Sequence, residues 1–175
     1  MVDAHFVPYN EETHRTQFLE LNVEHATWVN SEVKTRYEIE LVPPGSSIRE
    51  IIESTLPKFT SIKPPEGIIY ILEVDGKAEG MGALRKQEDG VAEIKRMYIR
   101  PKYRGMGFGK VMMKRLEEKA RDFGYSTLRL DTSEYMAAAL HIYRKAGFKE
   151  TEAFPIEVTR LSETEGIKIY MEKQL

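Results

Sequence analysis

The sequence predicts an α/β domain in which helices flank a mixed, mostly antiparallel sheet of about seven strands. Segments of strand-like composition alternate with segments in which apolar residues recur every three to four positions, as they do on one face of a helix. The 175 residues also match the length of one domain, which typically holds about 100–200 residues. We therefore expect residues 1–175 to form a single domain.

Composition excludes several classes of protein. Lys and Arg total 26 against 28 Asp and Glu, so the basic excess typical of a nucleic-acid-binding protein is missing. The chain has no Cys, which excludes a disulfide scaffold, a Cys-ligated zinc site and a covalent thiol mechanism. No apolar run approaches the roughly 18 residues of a membrane span, and the N-terminus does not resemble a signal peptide. We expect a cytoplasmic protein without nucleic-acid or membrane partners.

The N-terminal third predicts one short strand and two helices. Ala4–Pro8 has strand composition, and Glu11–Asn30 carries apolar residues near helical spacing. Ser46 or Ser47 can cap the second helix, which is expected to end before Pro57, because proline disfavours a helical conformation at the preceding residue.

The middle of the chain predicts an antiparallel meander. The dipeptides Asp75-Gly76 and Asp89-Gly90 favour tight hairpin turns, the first of type I′. Gly80 and Gly82 leave one strand face bare, so that another group can approach it closely. The three strands are Ile68–Val74, Ala78–Arg85 and Val91–Arg100.

The last third predicts two helices alternating with strands, and each helix is followed by a glycine that can end it. A polar loop is expected between the two closing strands. In chain order these elements are helix Phe108–Phe123, strand Thr127–Thr132, helix Met136–Ala146, strand Phe148–Phe154, loop Pro155–Gly166 and strand Ile167–Lys173.

The glycine loop Arg104–Lys110 joins a predicted strand to a predicted helix. Its three alternate glycines let backbone N–H groups turn to one side, and the helix adds about half a positive charge at its N-terminus. Both features favour a phosphate or pyrophosphate. A Walker loop would need Ser or Thr where Val111 stands, and the dinucleotide fingerprint needs another glycine spacing. From the glycines alone, a turn without a ligand stays open.

Three segments in order resemble the GNAT superfamily of acetyl-CoA-dependent N-acyltransferases. Arg104–Gly109 matches the family loop, Glu93–Pro101 resembles the fourth strand, and Ala139–Phe148 resembles the signature Ala-x-x-x-Tyr-x-Lys-x-Gly-Phe. Met136 departs from the Asn by which many members contact pantetheine. The resemblance implies a GNAT-like fold and transfer of an acetyl group from acetyl-CoA to a primary amine of a small molecule or peptide. With no Cys available, direct attack in a ternary complex is expected.

The resemblance also implies the residues that bind acetyl-CoA. The glycine loop would hold the pyrophosphate, and the main chain of a bulged fourth strand would face the acyl oxygen and pantetheine. The implied set comprises Met97, Tyr98, Ile99, Arg104, Gly105, Met106, Gly107, Phe108, Gly109, Lys110, Ala139 and Tyr143.

Two side chains are implied in catalysis. Tyr143 matches the family tyrosine whose hydroxyl approaches the thioester sulfur; the alternative is a packed core tyrosine. Glu93 matches a general-base position; the alternative is a strand carboxylate paired with Lys95 or Arg85. Further candidates for the base are Glu32, Glu38, Glu40 and His141.

Other readings stay open at this point. A non-catalytic acyl-CoA-binding module and a nucleotide-binding protein would use the same loop, and a homodimer is compatible with the sequence. No metal site is expected, because His5, His14 and His25 lack ligand spacing, and Trp28 is expected in the core. The acceptor amine is not specified. Basic residues are expected around the phosphate loop: Lys95, Arg96, Arg100, Lys102, Arg104 and Lys110.

Overall fold

A computed structural model describes residues 2–155 and 166–175. Within them, seven strands form one sheet in the order β1-β2-β3-β4-β5-β7-β6, with helices on both faces. Every neighbouring pair is antiparallel except β4 and β5. The elements are β1 (Ala4–Pro8), α1 (Glu11–Tyr37), α2 (Ile48–Thr60), β2 (Gly67–Val74), β3 (Lys77–Glu88), β4 (Val91–Ile99), α3 (Phe108–Asp122), β5 (Thr127–Ser133), α4 (Ala137–Lys145), β6 (Lys149–Glu150) and β7 (Lys168–Gln174). The predicted fold class is confirmed.

Both N-terminal helices are longer than predicted. Helix α1 continues to Tyr37, and α2 continues through Pro57 to Thr60. Ser47 and Glu50 form a reciprocal capping box at the start of α2, as their spacing allows. The prediction that α2 ends before Pro57 is wrong, because burial of Phe59 one turn beyond Leu56 keeps the last turn packed on the sheet.

The predicted meander is confirmed as β2, β3 and β4. Asp75 and Gly76 both have positive φ, at 49° and 75°, as a type I′ turn requires. The predicted strand Phe148–Phe154 is wrong beyond its first residues, since β6 covers Lys149–Glu150 alone. The predicted loop Pro155–Gly166 lies almost wholly outside the described residues.

Two apolar layers cover the sheet, one on each face. Helices α1 and α2 pack over Ile69, Ile71 and Met81, whereas α3 and α4 pack over Leu72 and Leu84. Alternate residues of β2 therefore enter different layers, which explains why this strand is buried almost continuously.

The sheet opens between β4 and β5. These parallel strands pair only from Val91 to Glu93, opposite Thr127 to Arg129. Further along β4, the step from Lys95 to Tyr98 lies opposite the shorter step from Ala83 to Met81 on β3, so β4 contains an extra residue. The bulge leaves the second half of β4 without β5 as a backbone partner.

Gly82 on β3 shows what approaches the bare strand face. A Cβ there would lie 2.7 Å from Cγ and 2.9 Å from Sδ of Met112 on α3. The group that approaches is thus the protein's own helix, and Gly82 fixes the distance between α3 and the sheet.

We expect Gly82→Ala to lower the free energy of unfolding by about 1–3 kcal/mol, because the added methyl overpacks against Met112. Met112→Ala alone should cost about 2–5 kcal/mol through loss of buried volume. In the double variant the two losses should fall short of additivity by about 1 kcal/mol, since Met112→Ala makes room for the methyl. Urea unfolding of the four proteins measures this coupling, and strictly additive losses would show that the two sites do not press on each other.

Candidate active site

The glycine loop forms an open concavity at the start of α3. Gly105 and Gly107 have φ of 78° and 86°, and a Cβ added to either would meet nothing within 4 Å. Gly107 is the N-cap of α3, and no side chain caps this end of the helix. The first intrahelical bond runs from Val111 N to Gly107 O at 3.2 Å. The preceding N–H groups therefore point outward toward any anion that binds there.

The third glycine of the loop has another role. A Cβ on Gly109 would lie 2.8 Å from Cδ1 of Ile142 on α4. The missing side chain lets α4 pack closely against the first turn of α3, and Tyr143 follows Ile142 directly. Gly109 thereby places α4 beside the loop.

Tyr143 is almost completely buried, and no described residue forms a hydrogen bond with its hydroxyl. The residue is 6% exposed and its ring packs against Phe148, with centroids 6.2 Å apart. Burial and the negative charge of Asp131 raise the pKa of Tyr143 well above its ordinary value. The hydroxyl is therefore a protonated donor at neutral pH.

Glu93 is the fully buried member of a partly buried chain of charges. Its side chain is 0% exposed, with Oε1 2.7 Å from Nζ of Lys95 and Oε2 3.4 Å from Nε of Arg85. Lys95 also reaches Oδ1 of Asp131 at 2.8 Å, and Lys168 reaches Oδ2 at 3.1 Å. Both pairing partners that the sequence offered for Glu93 are thus present.

The ion pairs among these charged groups explain the direction in which their pKa values shift. Burial alone would raise the pKa of Asp131, but Lys95 and Lys168 outweigh it and hold the pKa below the ordinary value. Burial would likewise lower the pKa of Lys95, yet the two carboxylates raise it. Asp131 and Lys95 therefore both stay ionised at neutral pH.

The bulge of β4 begins just before the predicted acyl-binding stretch. Arg96 has a positive φ of 57°, and Met97, Tyr98 and Ile99 follow it. The Tyr98 ring stacks on His25 at 5.1 Å, so it faces α1, and only its main chain can serve the opening. Ala139 lies half-buried on α4, and Met136 at the start of α4 provides no polar cap.

The predicted basic cluster is dispersed in the structure. Lys95 belongs to the partly buried chain of charges, and Arg100 bonds to Glu24 and Glu79. Arg104 turns back, donating from Nε to Ile99 O at 2.9 Å. Of the loop itself, Met106 and Lys110 are exposed, and Phe108 packs edge-on against Phe6. The expected anion site depends mainly on backbone N–H groups.

A cavity of about 210 Å³ lies between α1, α2 and the sheet. The sequence did not lead to a prediction of this cavity, although the spacing of four residues on α1 indicates that they share one helical face. Asn22, His25, Ala26 and Val29 follow the i, i+3, i+4, i+7 pattern. The described lining consists of Asn22, His25, Ala26, Val29, Leu41, Ile51, Ile52, Thr55, Phe59, Arg85, Lys95, Arg96, Asp131 and Lys168.

Other candidate residues lie apart from the cavity. Glu32 pairs with Arg36, Glu40 pairs with Lys34, and Glu38 caps the end of α1. His141 is exposed on α4. Trp28 was expected in the core, but it is only half-buried and lies beside Tyr135.

Residues 2–155 and 166–175 contain neither a metal-binding cluster nor a membrane-spanning helix. No group of three or more His, Asp or Glu side chains there is placed to hold a metal ion. Among the helices of that part of the chain, none combines the length and apolar character needed to cross a bilayer.

Comparison with protein families agrees with the fold and the loop. Residues 26–148 match the model of the acetyltransferase (GNAT) family. The chain belongs to this family, as the three motifs implied.

Individual relatives are more distant. An IAA acetyltransferase of Azospirillum brasilense is 34% identical over 95 residues, which cover 54% of this chain and 62% of that protein. The N-acetylaspartate synthetase of Xenopus tropicalis is 34% identical over 89 residues, covering 50% of this chain and 33% of the relative. The chain thus matches less than two thirds of the length of either. PaiA N-acetyltransferase from Thermoplasma acidophilum, solved with coenzyme A, shares the fold with a TM-score of 0.68 at 16% identity over 99% of both chains.

His25 gives a test of the cavity's electrostatics. Burial first, and then Arg96 and Arg104, lower the pKa of His25 from 6.5 to about 4. As the pH is lowered, His25 therefore takes up its proton near pH 6.5 in the unfolded chain but only near pH 4 in the folded protein. We expect the free energy of unfolding to fall as the pH is lowered from 6.5 to 4, and His25 should contribute up to about 3 kcal/mol of this loss.

His25→Phe, which keeps a ring against Tyr98, should flatten this pH dependence between pH 6.5 and 4 relative to wild type. His141→Gln, at an exposed position, should leave it unchanged. Urea unfolding across the pH range measures both. Parallel curves for wild type and His25→Phe would show that His25 titrates normally in the folded protein.

Proposed function

We propose that this protein is an N-acetyltransferase that moves an acetyl group from acetyl-CoA to a primary amine by direct attack in a ternary complex. The observation that carries the proposal is the opening between β4 and β5, which ends at the glycine loop. It offers an unpaired strand edge next to an anion-binding helix terminus. This combination suits a ligand that has amides at one end and phosphates at the other.

Coenzyme A has that chemistry. Its pyrophosphate would accept hydrogen bonds from the N–H groups around Gly107 and at the start of α3. Its pantetheine amides would pair with the unpaired edge of β4 as an added strand does. This orientation directs the thioester toward the interior of the opening.

The reaction consists of addition and elimination. The neutral amine attacks the thioester carbonyl carbon, the carbonyl oxygen gains negative charge, and the C–S bond then breaks to release a thiolate. A main-chain N–H in the stretch from Met97 to Ile99 would stabilise the oxygen. The Tyr143 hydroxyl would donate a hydrogen bond to the sulfur; its raised pKa makes it a stable donor and a poor source of a fully transferred proton.

Glu93 retains the general-base role in this proposal under one condition. None of its side-chain surface is exposed, so Glu93 can take the proton from the amine only when the site opens to admit a bridging water. Its ion pairs with Lys95 and Arg85 compete with that role.

The relatives support the amine acceptor. The name N-acetylaspartate synthetase denotes formation of an N-acetyl product in that protein. An acyl-CoA-binding module without catalysis would share the loop but would not need the Tyr143 hydroxyl as a hydrogen-bond donor.

We expect Gly107→Val to weaken CoA binding by about tenfold or more, the effect of losing one charge-assisted hydrogen bond. The new side chain would occupy the open space in front of the loop. Gly124→Val is a matched control at the other end of α3, with φ of 85° and the same open surroundings. Calorimetric titration with CoA should separate the two variants. Equal losses would mean that backbone strain, not the phosphate contact, is responsible, and stabilisation of wild type by ATP or NAD in place of CoA would contradict the proposed cosubstrate.

Tyr143→Phe should lower turnover by about 10²-fold and leave CoA affinity within about twofold, because only the hydroxyl is lost. Tyr70→Phe, a buried tyrosine of the same apolar layer, should change neither. Release of thiol from acetyl-CoA over a panel of amines measures turnover. An unchanged rate in Tyr143→Phe would return this residue to a packing role, and tight CoA binding with no thiol release for any amine would favour the non-catalytic module.

A further inference from the structure

The bulge of β4 consists of two residues whose side chains face opposite layers. Arg96 and Met97 lie together opposite Gly82 on β3. Met97 packs in the layer of α3, since its Sδ would lie 3.1 Å from a Cβ placed on Gly82. The Arg96 side chain instead reaches Phe59 on α2. The groups that hold Arg96 therefore also hold the start of the main-chain stretch proposed to face the acyl oxygen.

Arg96 has a backbone conformation that needs support from its surroundings. Its φ of 57° lies in the left-handed region, which is unfavourable for a residue that has a Cβ. Such conformations persist where neighbouring contacts fix them, and they are common at functional sites. The turn of the backbone at Arg96 sets the direction of the N–H groups of the residues that follow it, Met97 and Tyr98.

Asn22 on α1 supplies one of the contacts that fix Arg96. Its side-chain oxygen accepts a hydrogen bond from Nη1 of Arg96, and its Nδ2 donates to Phe18 O at 2.7 Å. Only one orientation of the amide satisfies both partners, because a guanidinium can only donate and a carbonyl can only accept. The bond to Phe18, one turn earlier in the helix, thus presents the amide oxygen to Arg96.

The packing of α1 does not by itself explain an amide at position 22. Asn22 is 2% exposed, and Ala26 and Val29 on the same helical face are apolar. An apolar side chain would fill such a position without the cost of burying a polar group. The hydrogen bond to Arg96 gives the amide a purpose that the helix alone does not.

Phe59 supports Arg96 from the second helix. Cζ of Arg96 lies 4.3 Å from the centroid of the Phe59 ring, a distance typical of a cation–π contact. The guanidinium is thus held from both α1 and α2, the helices that line the cavity. Two contacts from different directions restrict where the guanidinium can lie, and with it the backbone of Arg96.

We propose that Asn22 is a positioning residue for acetyl transfer. Through its hydrogen bond to Arg96 it fixes the bulge of β4, so that a main-chain N–H in the stretch from Met97 to Ile99 faces the acyl oxygen. This inference rests on the proposed function. It gives α1, which carries no residue of the proposed cofactor site, a part in the chemistry on β4.

Three variants of α1 test this role. Asn22→Leu removes both hydrogen bonds with little change in size, and Asn22→Asp keeps an oxygen acceptor for Arg96. Asn30→Leu is the matched control, because Asn30 lies on the same helix and its side-chain oxygen has no hydrogen-bond partner among the described residues. Arg96 itself is left unchanged, since it has further interactions that its substitution would also remove.

Steady-state release of thiol from acetyl-CoA is measured with 2-phenylethylamine, spermidine and L-lysine, and the best of these acceptors is used for all variants. We expect Asn22→Leu to lower kcat by about tenfold or more, because the donor to the acyl oxygen is misplaced. The KM for acetyl-CoA should stay within about threefold, because the glycine loop still binds the pyrophosphate. Asn22→Asp should keep kcat within about threefold of wild type through its charge-assisted bond to Arg96. Asn30→Leu should leave kcat unchanged.

Amide hydrogen exchange of the CoA-bound proteins provides a readout that does not depend on turnover. In Asn22→Leu, exchange at Met97, Tyr98 and Ile99 should become about threefold faster or more relative to exchange at Met113 and Leu116 in α3, because the bulge opens locally. A general loss of stability would instead accelerate exchange equally in both segments.

The outcomes separate this inference from the proposed function. An unchanged kcat in Asn22→Leu, an equal loss in Asn30→Leu, or a loss in Asn22→Asp as large as in Asn22→Leu would overturn the role of Asn22. Exchange that rises equally in β4 and α3 would also overturn it. Absence of thiol release by wild type with any amine would count against the proposed activity, and the exchange result would still decide whether Asn22 fixes the bulge.

Discussion

The early end of pairing between β4 and β5 is the constraint on which the candidate site depends. A strand edge in the interior of a sheet normally satisfies its N–H and C=O groups on the neighbouring strand. Here the parallel ladder stops after Glu93, and the bulge at Arg96 turns the rest of β4 away from that register. The unsatisfied edge is then available to water or to a ligand that has amides of its own.

Side-chain ion pairs bridge the gap that the backbone leaves. Lys95 on β4 joins Asp131 on β5, and Asp131 in turn joins Lys168 on β7. Removing one member of a fully buried pair typically costs about 3–5 kcal/mol, and the loss is smaller for these partly buried pairs because water can reach the charge that is left. The same charges form one wall of the cavity, so the groups that tie the opened sheet together also determine what can bind beside it.

The glycines of the loop divide between two tasks. Gly105 and Gly107 adopt left-handed φ and face open space, as a backbone anion site requires. Gly109 instead serves helix packing. Because it has no side chain, Ile142 can pack against the first turn of α3, which brings α4 and Tyr143 close to the start of α3. One short motif thus serves both the proposed binding site and the placement of a proposed catalytic residue.

The sequence by itself determined the fold class, the meander with its type I′ turn, the glycine loop and the family, because these depend on local periodicity, turn chemistry and residues adjacent in the chain. Tertiary structure alone decided the rest. The passage of α2 beyond Pro57 depends on packing of Phe59, and the partners of Glu93 depend on which strands lie side by side. The cavity could not be predicted from the sequence for the same reason, because residues as far apart as Asn22 and Lys168 meet there only after α1, α2 and four strands have packed.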